Sequence, residues 1–282
     1  MPESLDDLVE LLDLEMIDVD LFRGRQPETS AQRVFGGQVL GQALAAASRT
    51  VDPERQVHSL HGYFLRPGDT AVPIVYRPEP TRDGRTFSSR RVVASQNGKP
   101  IFYMSASYQR PERGLDHADP MPDELVPPDK APTLASVFEA ASGRKAEDWN
   151  KEWAALDVRQ AGVSGRRYWI RAAGKLPDDP ALHACVLAYA SDLTLLGASL
   201  LPHGIIIGDR RIQPASIDHA LWFHREFRAD EWLLYDQASP SASGARGFAT
   251  GRLFTEDGRL IASVAQEGLI RPIGLDLDEE TE

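Results

Sequence analysis

Residues 61–69 read HGYFLRPGD and residues 220–228 read ALWFHREFR. Set side by side, they share an aromatic pair, Tyr63-Phe64 against Trp222-Phe223, followed by Arg66 against Arg225. Further along, residues 97–107 (NGKPIFYMSAS) match residues 257–267 (DGRLIASVAQE) in the same way. The spacing is 159 residues for Arg66 and Arg225 and 160 for Gly98 and Gly258. Between the paired stretches both halves carry a Gly/Arg-rich segment, DGRTFSSRRVV at 83–93 and SGARGFATGRL at 243–253. Self-similarity at one spacing is the mark of a chain built twice on one plan.

Working outward, each half has a helical pattern upstream of its strands. In VFGGQVLGQALAAASRT (34–50) apolar residues recur at helical spacing after Gly36-Gly37. In PDDPALHACVLAYASDLTLLG (177–197) Asp179 offers a cap, Pro180 suits the first turn and Gly197 offers a stop. Short β-branched or aromatic stretches precede both helices, MIDVDLFRGR at 16–25 and RRYWIRAAG at 166–174. Turns are expected at Asn97-Gly98 and Asp257-Gly258. Residues 109–132 are rich in proline and acid and read as an exposed connector, followed by a polar helical stretch at 133–156. The expected organisation is a first repeat over 1–110, a connector over 111–160 and a second repeat over 161–282. The fold class is α+β, a long helix wrapped by an antiparallel sheet, occurring twice.

The formal net charge of -11 argues against general binding to nucleic acid or anionic membranes, and 42% hydrophobic residues is ordinary for a globular chain. Cys185 is the lone cysteine, so an intrachain disulfide and a cysteine-rich zinc site are excluded and a cytoplasmic compartment is expected. The N-terminal MPESLDDLVELLDLEMI is too acidic for a secretory signal. No apolar run reads as long enough to span a bilayer, and no membrane insertion is expected. The C-terminal LDLDEETE (275–282) reads as a solvated acidic tail without a peroxisomal or retention signal. There is no G-x-S-x-G, Walker A or H-E-x-x-H motif, and His58 and His61 lack partners at metal-ligand spacing, so no metal is expected.

The stretch CVLAYASDLTLLGASLL (185–201) reads as a buried helix with Asp192 in its middle. Its neighbours at three and four positions are Ala188, Tyr189, Leu195 and Leu196. An acid on so apolar a face is either paired structurally or functional, because an unpaired buried charge is costly. Asp218 and His219 form a tempting acid–imidazole pair, but adjacent residues on a strand face opposite sides and cannot readily form a dyad.

Six segments together, VFGGQVLGQAL, RQVHSLHGYFLRPGD, NGKPIFYMSASYQ, YASDL, PASIDHALWFHR and SASGARGF, resemble the acyl-CoA thioesterase II family from about Leu21 to Ile270. The resemblance implies a double hotdog that hydrolyses fatty acyl-CoA thioesters. It implies catalysis by an Asp on the second-half helix, a Thr or Ser on the next strand and a Gln near the C-terminal strand. In this chain those positions are Asp192, Ser216 and Gln266, with Ser where many members carry Thr. Taken alone, Ser216 and Gln266 would pass as ordinary strand polars. The internal alignment sets them against Ala45, Val57 and Ala106 in the first half, all apolar, as expected if only one of two copies works.

Gly36 and Gly37, at the start of the first-half helix, are candidates for an oxyanion or pantetheine contact, or merely a tight junction. Arg66, Arg90, Arg91 and Arg246 are candidates for the coenzyme A phosphates. For the Arg90-Arg91 pair, the plainer reading is one solvated charge and one stem over apolar surface. Acyl-CoA is the expected partner, coenzyme A is part of the substrate rather than a cofactor, and a homo-oligomer is expected by analogy. The alternatives on the same fold are an acyl-CoA hydratase/dehydratase and a non-catalytic acyl-CoA-binding module. The hydratase motif, Asp-x-Asn with a later His, is not matched, since Thr194 and Gly197 stand in those places.

Overall fold

A computed structural model describes residues 1–29, 31–143 and 145–273. The first half comprises α1 (Leu5–Leu12), β1 (Glu15–Asp18), β2 (Leu21–Gly24), α2 (Gly36–Ser48), β3 (Gln56–Phe64), β4 (Ile74–Asp83), β5 (Phe87–Gln96) and β6 (Lys99–Gln109). Then follow α3 (Leu134–Ser142), α4 (Ala146–Trp153), β7 (Leu156–Gln160), β8 (Arg167–Ala172) and α5 (Pro180–Ser191). The chain closes with β9 (Ile212–Ser216), β10 (Asp218–Phe223), β11 (Leu233–Ser243), β12 (Arg246–Thr255) and β13 (Leu260–Pro272).

The strands form one 13-stranded sheet in the order β1-β2-β4-β5-β6-β3-β10-β13-β12-β11-β8-β7, with β9 paired to β13. Read from the middle, the two directions mirror each other: β3, β6, β5 and β4 on one side answer β10, β13, β12 and β11 on the other. The halves join where β3 and β10 pair antiparallel, with Ala220 opposite His61 and Trp222 opposite Ser59. The repeat legible in the sequence is therefore an internal two-fold in one sheet. At the β5–β6 hairpin Asn97 and Gly98 both take positive φ, 50° and 74°, the backbone that a tight two-residue turn between twisted strands demands.

Helices α2 and α5 lie together on the inner face and run antiparallel. A Cβ on Gly37 would stand 2.2 Å from the Tyr189 carbonyl oxygen, and one on Gly41 would stand 3.1 Å from that of Cys185. Glycine at these two positions lets the helix backbones touch. Every residue of α2 from Gly37 to Ala47 is buried, as is α5 from His183 to Ser191. Asp179 caps α5 through its side chain and Pro180 occupies the first turn. The start of α2 has no side-chain cap. The antiparallel arrangement brings that uncapped N-terminus beside the C-terminus of α5.

Several expectations need correction. Helix α5 stops at Ser191, not at Gly197, and Asp192 is its C-cap rather than a mid-helix residue. Ser191 turns its hydroxyl back to the Ala188 carbonyl, and the chain tightens into 3-10 turns at Leu195–Ser199 and Leu201–His203. Counted with its 3-10 turns, the helical run Pro180–His203 is 24 residues long and holds an 18-residue window of mean hydropathy 1.6, which does reach the length and apolarity of a bilayer span, contrary to expectation, but 78% of that window is buried in the fold. Strand β7 falls within the expected connector and pairs with β8. The connector is also not wholly exposed: Trp153 of α4 meets Phe35 edge-on at 4.9 Å, and Phe35 in turn meets Tyr189 at 5.2 Å. The expected acidic tail, 275–282, lies outside the described residues.

Candidate active site

Asp192, Ser216 and Gln266 come from three separate elements and meet. Asp192 Oδ1 accepts from Gln266 Nε2 at 2.6 Å and from Ser216 Oγ at 3.3 Å. Gln266 Nε2 also donates to Ser216 Oγ at 3.0 Å. A carboxylate only accepts, so the amide nitrogen must be the atom facing it, which fixes the orientation of Gln266. Gln266 is fully buried and Asp192 nearly so, while Ser216 is half-buried and marks the side from which the cluster is reached.

The second carboxylate oxygen points the other way. A Cβ on Gly36 would stand 2.6 Å from Asp192 Oδ2, so this oxygen lies against the first turn of α2. As a C-cap, Asp192 sits at the unfavourable end of its own helix dipole, but the N-terminus of α2 faces it. The first N–H groups of α2 have no intrahelical acceptor, which makes that end electropositive. Two donors on Oδ1 and a helix N-terminus at Oδ2 are what let an acid persist in an apolar surround. Tyr235 lies close enough to feel this charge: burial, and then Asp192, raise its phenol well above the usual tyrosine range. Tyr235 therefore stays neutral and donates to the Ser191 carbonyl at 3.0 Å.

Period-2 counting fails at β9–β10, and the failure shapes the site. Ser216 pairs with Gly268 of β13, whereas Ala220 pairs with Ala265. Four steps on one strand therefore span three on its neighbour, a bulge centred at Ile217. The extra residue turns Ser216 inward together with His219, three positions later. His219 is fully buried, with Nδ1 3.6 Å from Asp192 Oδ1 and Nε2 2.9 Å from Ser191 Oγ. Asp218 faces the opposite side and pairs with His61 at 2.9 Å, so Asp218 and His219 do point apart, as strand geometry requires. The sequence expectations did not include His219 beside Asp192. The signal that could have found it is the internal alignment, which at the 159-residue spacing sets His219 against the apolar Leu60; in the structure the register of β3 slips at the equivalent place, between Val57 and Ser59.

The remaining candidates lie apart from this cluster. Gly37 packs against the Tyr189 carbonyl, so its lack of a side chain serves helix contact. Arg90 is corrected as a phosphate candidate. Its side chain is only 4% exposed, and its guanidinium is committed to Asp83 at 2.9 Å and to the hydroxyl and carbonyl of Thr50 at 2.9 and 2.8 Å. Arg91 is half-exposed near Glu79, Arg246 is half-exposed beside Glu267 at 2.9 Å, and Arg66 donates to the Pro100 carbonyl. Among the described residues no group of His, Cys, Asp and Glu is arranged to hold a metal ion. Burial pushes the Cys185 thiol up to about 12, leaving it inert.

Comparison with known proteins gives a consistent picture. The acyl-CoA thioesterase family pattern matches residues 143–269, and that of the acyl-CoA thioesterase N-terminal domain matches residues 25–109. Acyl-coenzyme A thioesterase 8 of Homo sapiens is 41% identical over 93% of this chain and 88% of its own. Acyl-CoA thioesterase 2 of Haemophilus influenzae is 38% identical over 96% of this chain and 99% of its own. The crystal structure of an acyl-CoA thioesterase II from Mycobacterium marinum superposes with a TM-score of 0.78 at 46% identity, covering 95% of this chain and 98% of that one.

Proposed function

The chain belongs to the acyl-CoA thioesterase family, whose members are thioester hydrolases with the hotdog fold, and we propose that it hydrolyses fatty acyl-CoA by an Asp192-activated water. One observation carries the mechanism: Oδ1 of Asp192 is held by Gln266 and Ser216 while Oδ2 faces the start of α2 at Gly36. Water is a weak nucleophile at neutral pH and needs a base within hydrogen-bonding reach. In this reading Oδ2 takes a proton from the water as its oxygen bonds to the thioester carbon. The C–S bond then breaks, the thiolate departs, and the proton on Asp192 returns to it, leaving the free acid and coenzyme A. Ser216 lies on the accessible side of the cluster and orients the water.

Charge developing on the carbonyl oxygen needs donors already in place. The N–H groups of Gly36 and Gly37, which precede the first bonded donor at Gln38, supply them, with Gly36 allowing the closest approach. Thiolate is a good leaving group, so no separate acid is assigned. Arg66, Arg91 and Arg246 keep solvent-facing guanidinium groups and remain the candidates for the coenzyme A phosphates, countering the overall negative charge locally. The proposal includes a cytoplasmic location and association with further copies of the chain through the outer sheet face bearing Tyr63, Trp222 and Phe248, which sedimentation measures.

The test is thiol release across a panel of acyl-CoAs with the wild-type chain and Asp192→Asn. Release of coenzyme A by the wild type that the folded variant lacks supports the reading. Equal release by both sinks the assignment of Asp192. Hydration without release, or binding without turnover, would establish one of the two alternatives in its place.

A further inference from the structure

His219 has no counterpart in the proposed mechanism, yet it is fully buried and its Nδ1 has no hydrogen-bond partner while standing 3.6 Å from Asp192 Oδ1. Its other nitrogen is engaged: Nε2 meets Ser191 Oγ at 2.9 Å, and that oxygen also stands 3.0 Å from the Ala188 carbonyl, so its one hydroxyl proton can serve either neighbour. With hydrogen on Nε2 alone, Ser191 would accept from the ring and a lone pair on Nδ1 would face the lone pairs of a carboxylate, an arrangement without a donor between two buried acceptors. With hydrogen on Nδ1 instead, Ser191 donates to Nε2, the conflict is removed and each contact of the ring has one donor and one acceptor.

The first half supplies an internal control. At the 159-residue spacing His219 corresponds to Leu60, which is buried and paired across β3–β6 with Ala106, the counterpart of Gln266. The fold thus accepts leucine at this position where no acid is nearby. Four inward positions, not three, change from apolar to polar between the halves. The groups facing His219 are Asp192 and Ser191 from the end of α5 and Gln266 from β13, with the neutral Tyr235 of β11 bonded behind Ser191.

We infer that His219 is a positioning residue for Asp192: its Nδ1–H closes the third side of Oδ1 and so commits Oδ2 to the water. The inference rests on the thioesterase reading but reaches beyond it. Ser191 extends the set, because its hydroxyl sets which nitrogen of His219 faces the acid.

Two variants and one spectroscopic measurement test this. His219→Asn places an amide N–H near the position of Nδ1, whereas His219→Leu copies the first half. His219→Leu is expected to lose about tenfold or more in kcat with KM little changed, since it disturbs the base and not the binding surface. His219→Asn is expected to recover most of that loss. Equal activity of the Leu and Asn variants, or a Leu variant within about twofold of wild type, would overturn the inference. Independently of turnover, nitrogen-15 NMR of the wild type should show a protected proton on Nδ1 that exchanges freely in Asp192→Asn. Absence of that proton in the wild type overturns the inference even if hydrolysis is confirmed. A chain with the proton but no acyl-CoA hydrolysis would instead count against the thioesterase reading alone.

Discussion

At one end of the α2–α5 pair the inward positions are Asp192, Ser216, His219 and Gln266; at the equivalent positions of the other half they are Ala45, Val57, Leu60 and Ala106. The strand backbone around both sets is alike, down to the slip after Val57 in β3 and the bulge after Ser216, while the helices differ in that Ala45 lies within α2 and Asp192 caps α5. Apolar residues fill the first end without difficulty, so nothing in the fold requires polar groups there. The polar set is costly to bury, and its presence in one half only is the pattern that the proposed chemistry requires.

The comparison can be broken most directly at Asp192. Asp192→Asn keeps the shape and the Gln266 contact crowded but removes the base, and kcat should fall about a thousandfold with the melting temperature unchanged. Next come the adjacent glycines, which should separate activity from stability. Gly36→Ala forces its Cβ against Oδ2, a movable side-chain oxygen, so the carboxylate shifts and kcat drops about a hundredfold in a protein that still melts normally. Gly37→Ala meets a backbone oxygen instead, which cannot move aside, and thermal melts should show a loss of about 1–3 kcal/mol. If Gly36→Ala behaved like Gly37→Ala, Oδ2 would not be the working oxygen.

Copying the first half in smaller steps sharpens the contrast. Ser216→Val and Gln266→Ala should each slow turnover about tenfold, and the double variant should lose less than the product because both groups brace one oxygen. Fully additive losses would mean that they serve different steps. The reverse exchange, Ala106→Gln, buries a polar group with no acid to meet and should cost about 1–3 kcal/mol without touching activity.

The smallest effect concerns acid. In the second half Asp230 is buried; burial alone would raise its carboxyl, but Arg228 and the Leu176 N–H outweigh it and hold the carboxyl down at about 2. The corresponding loop of the first half is held by the neutral Gln96, which bonds to the Asp69 backbone on both sides of its amide. A carboxyl lowered by folding stabilises fully above its unfolded value and ceases to do so as pH falls through about 4 towards about 2. Chemical denaturation across that window should show about 2 kcal/mol lost, and Asp230→Asn should remove the dependence while lowering stability at neutral pH.

Much of this was legible in the amino-acid order. The 159–160 spacing announced the two-fold, Asn97-Gly98 announced its hairpin, and Asp192 declared itself by the apolar face around it. What escaped depended on tertiary detail. The end of α5 was misplaced because Gly197 is a good stop by composition, whereas a hydroxyl returning to the Ala188 carbonyl is visible only in three dimensions. Arg90 looked like a free cation because one partner, Thr50, lies 40 residues away and the other, Asp83, meets it only across the β4–β5 hairpin. His219 was hidden by a one-residue bulge, which sequence periodicity cannot register because it reverses the very alternation being counted.

The contact between Asp192 and Gly36 joins the two repeats. The acid belongs to the later repeat and the helix end that faces it to the earlier one. A symmetric pair of copies would hold two such junctions; this chain has one, with apolar residues at the counterpart positions of the other. Each half therefore carries a part that the other lacks, and neither alone would form the junction.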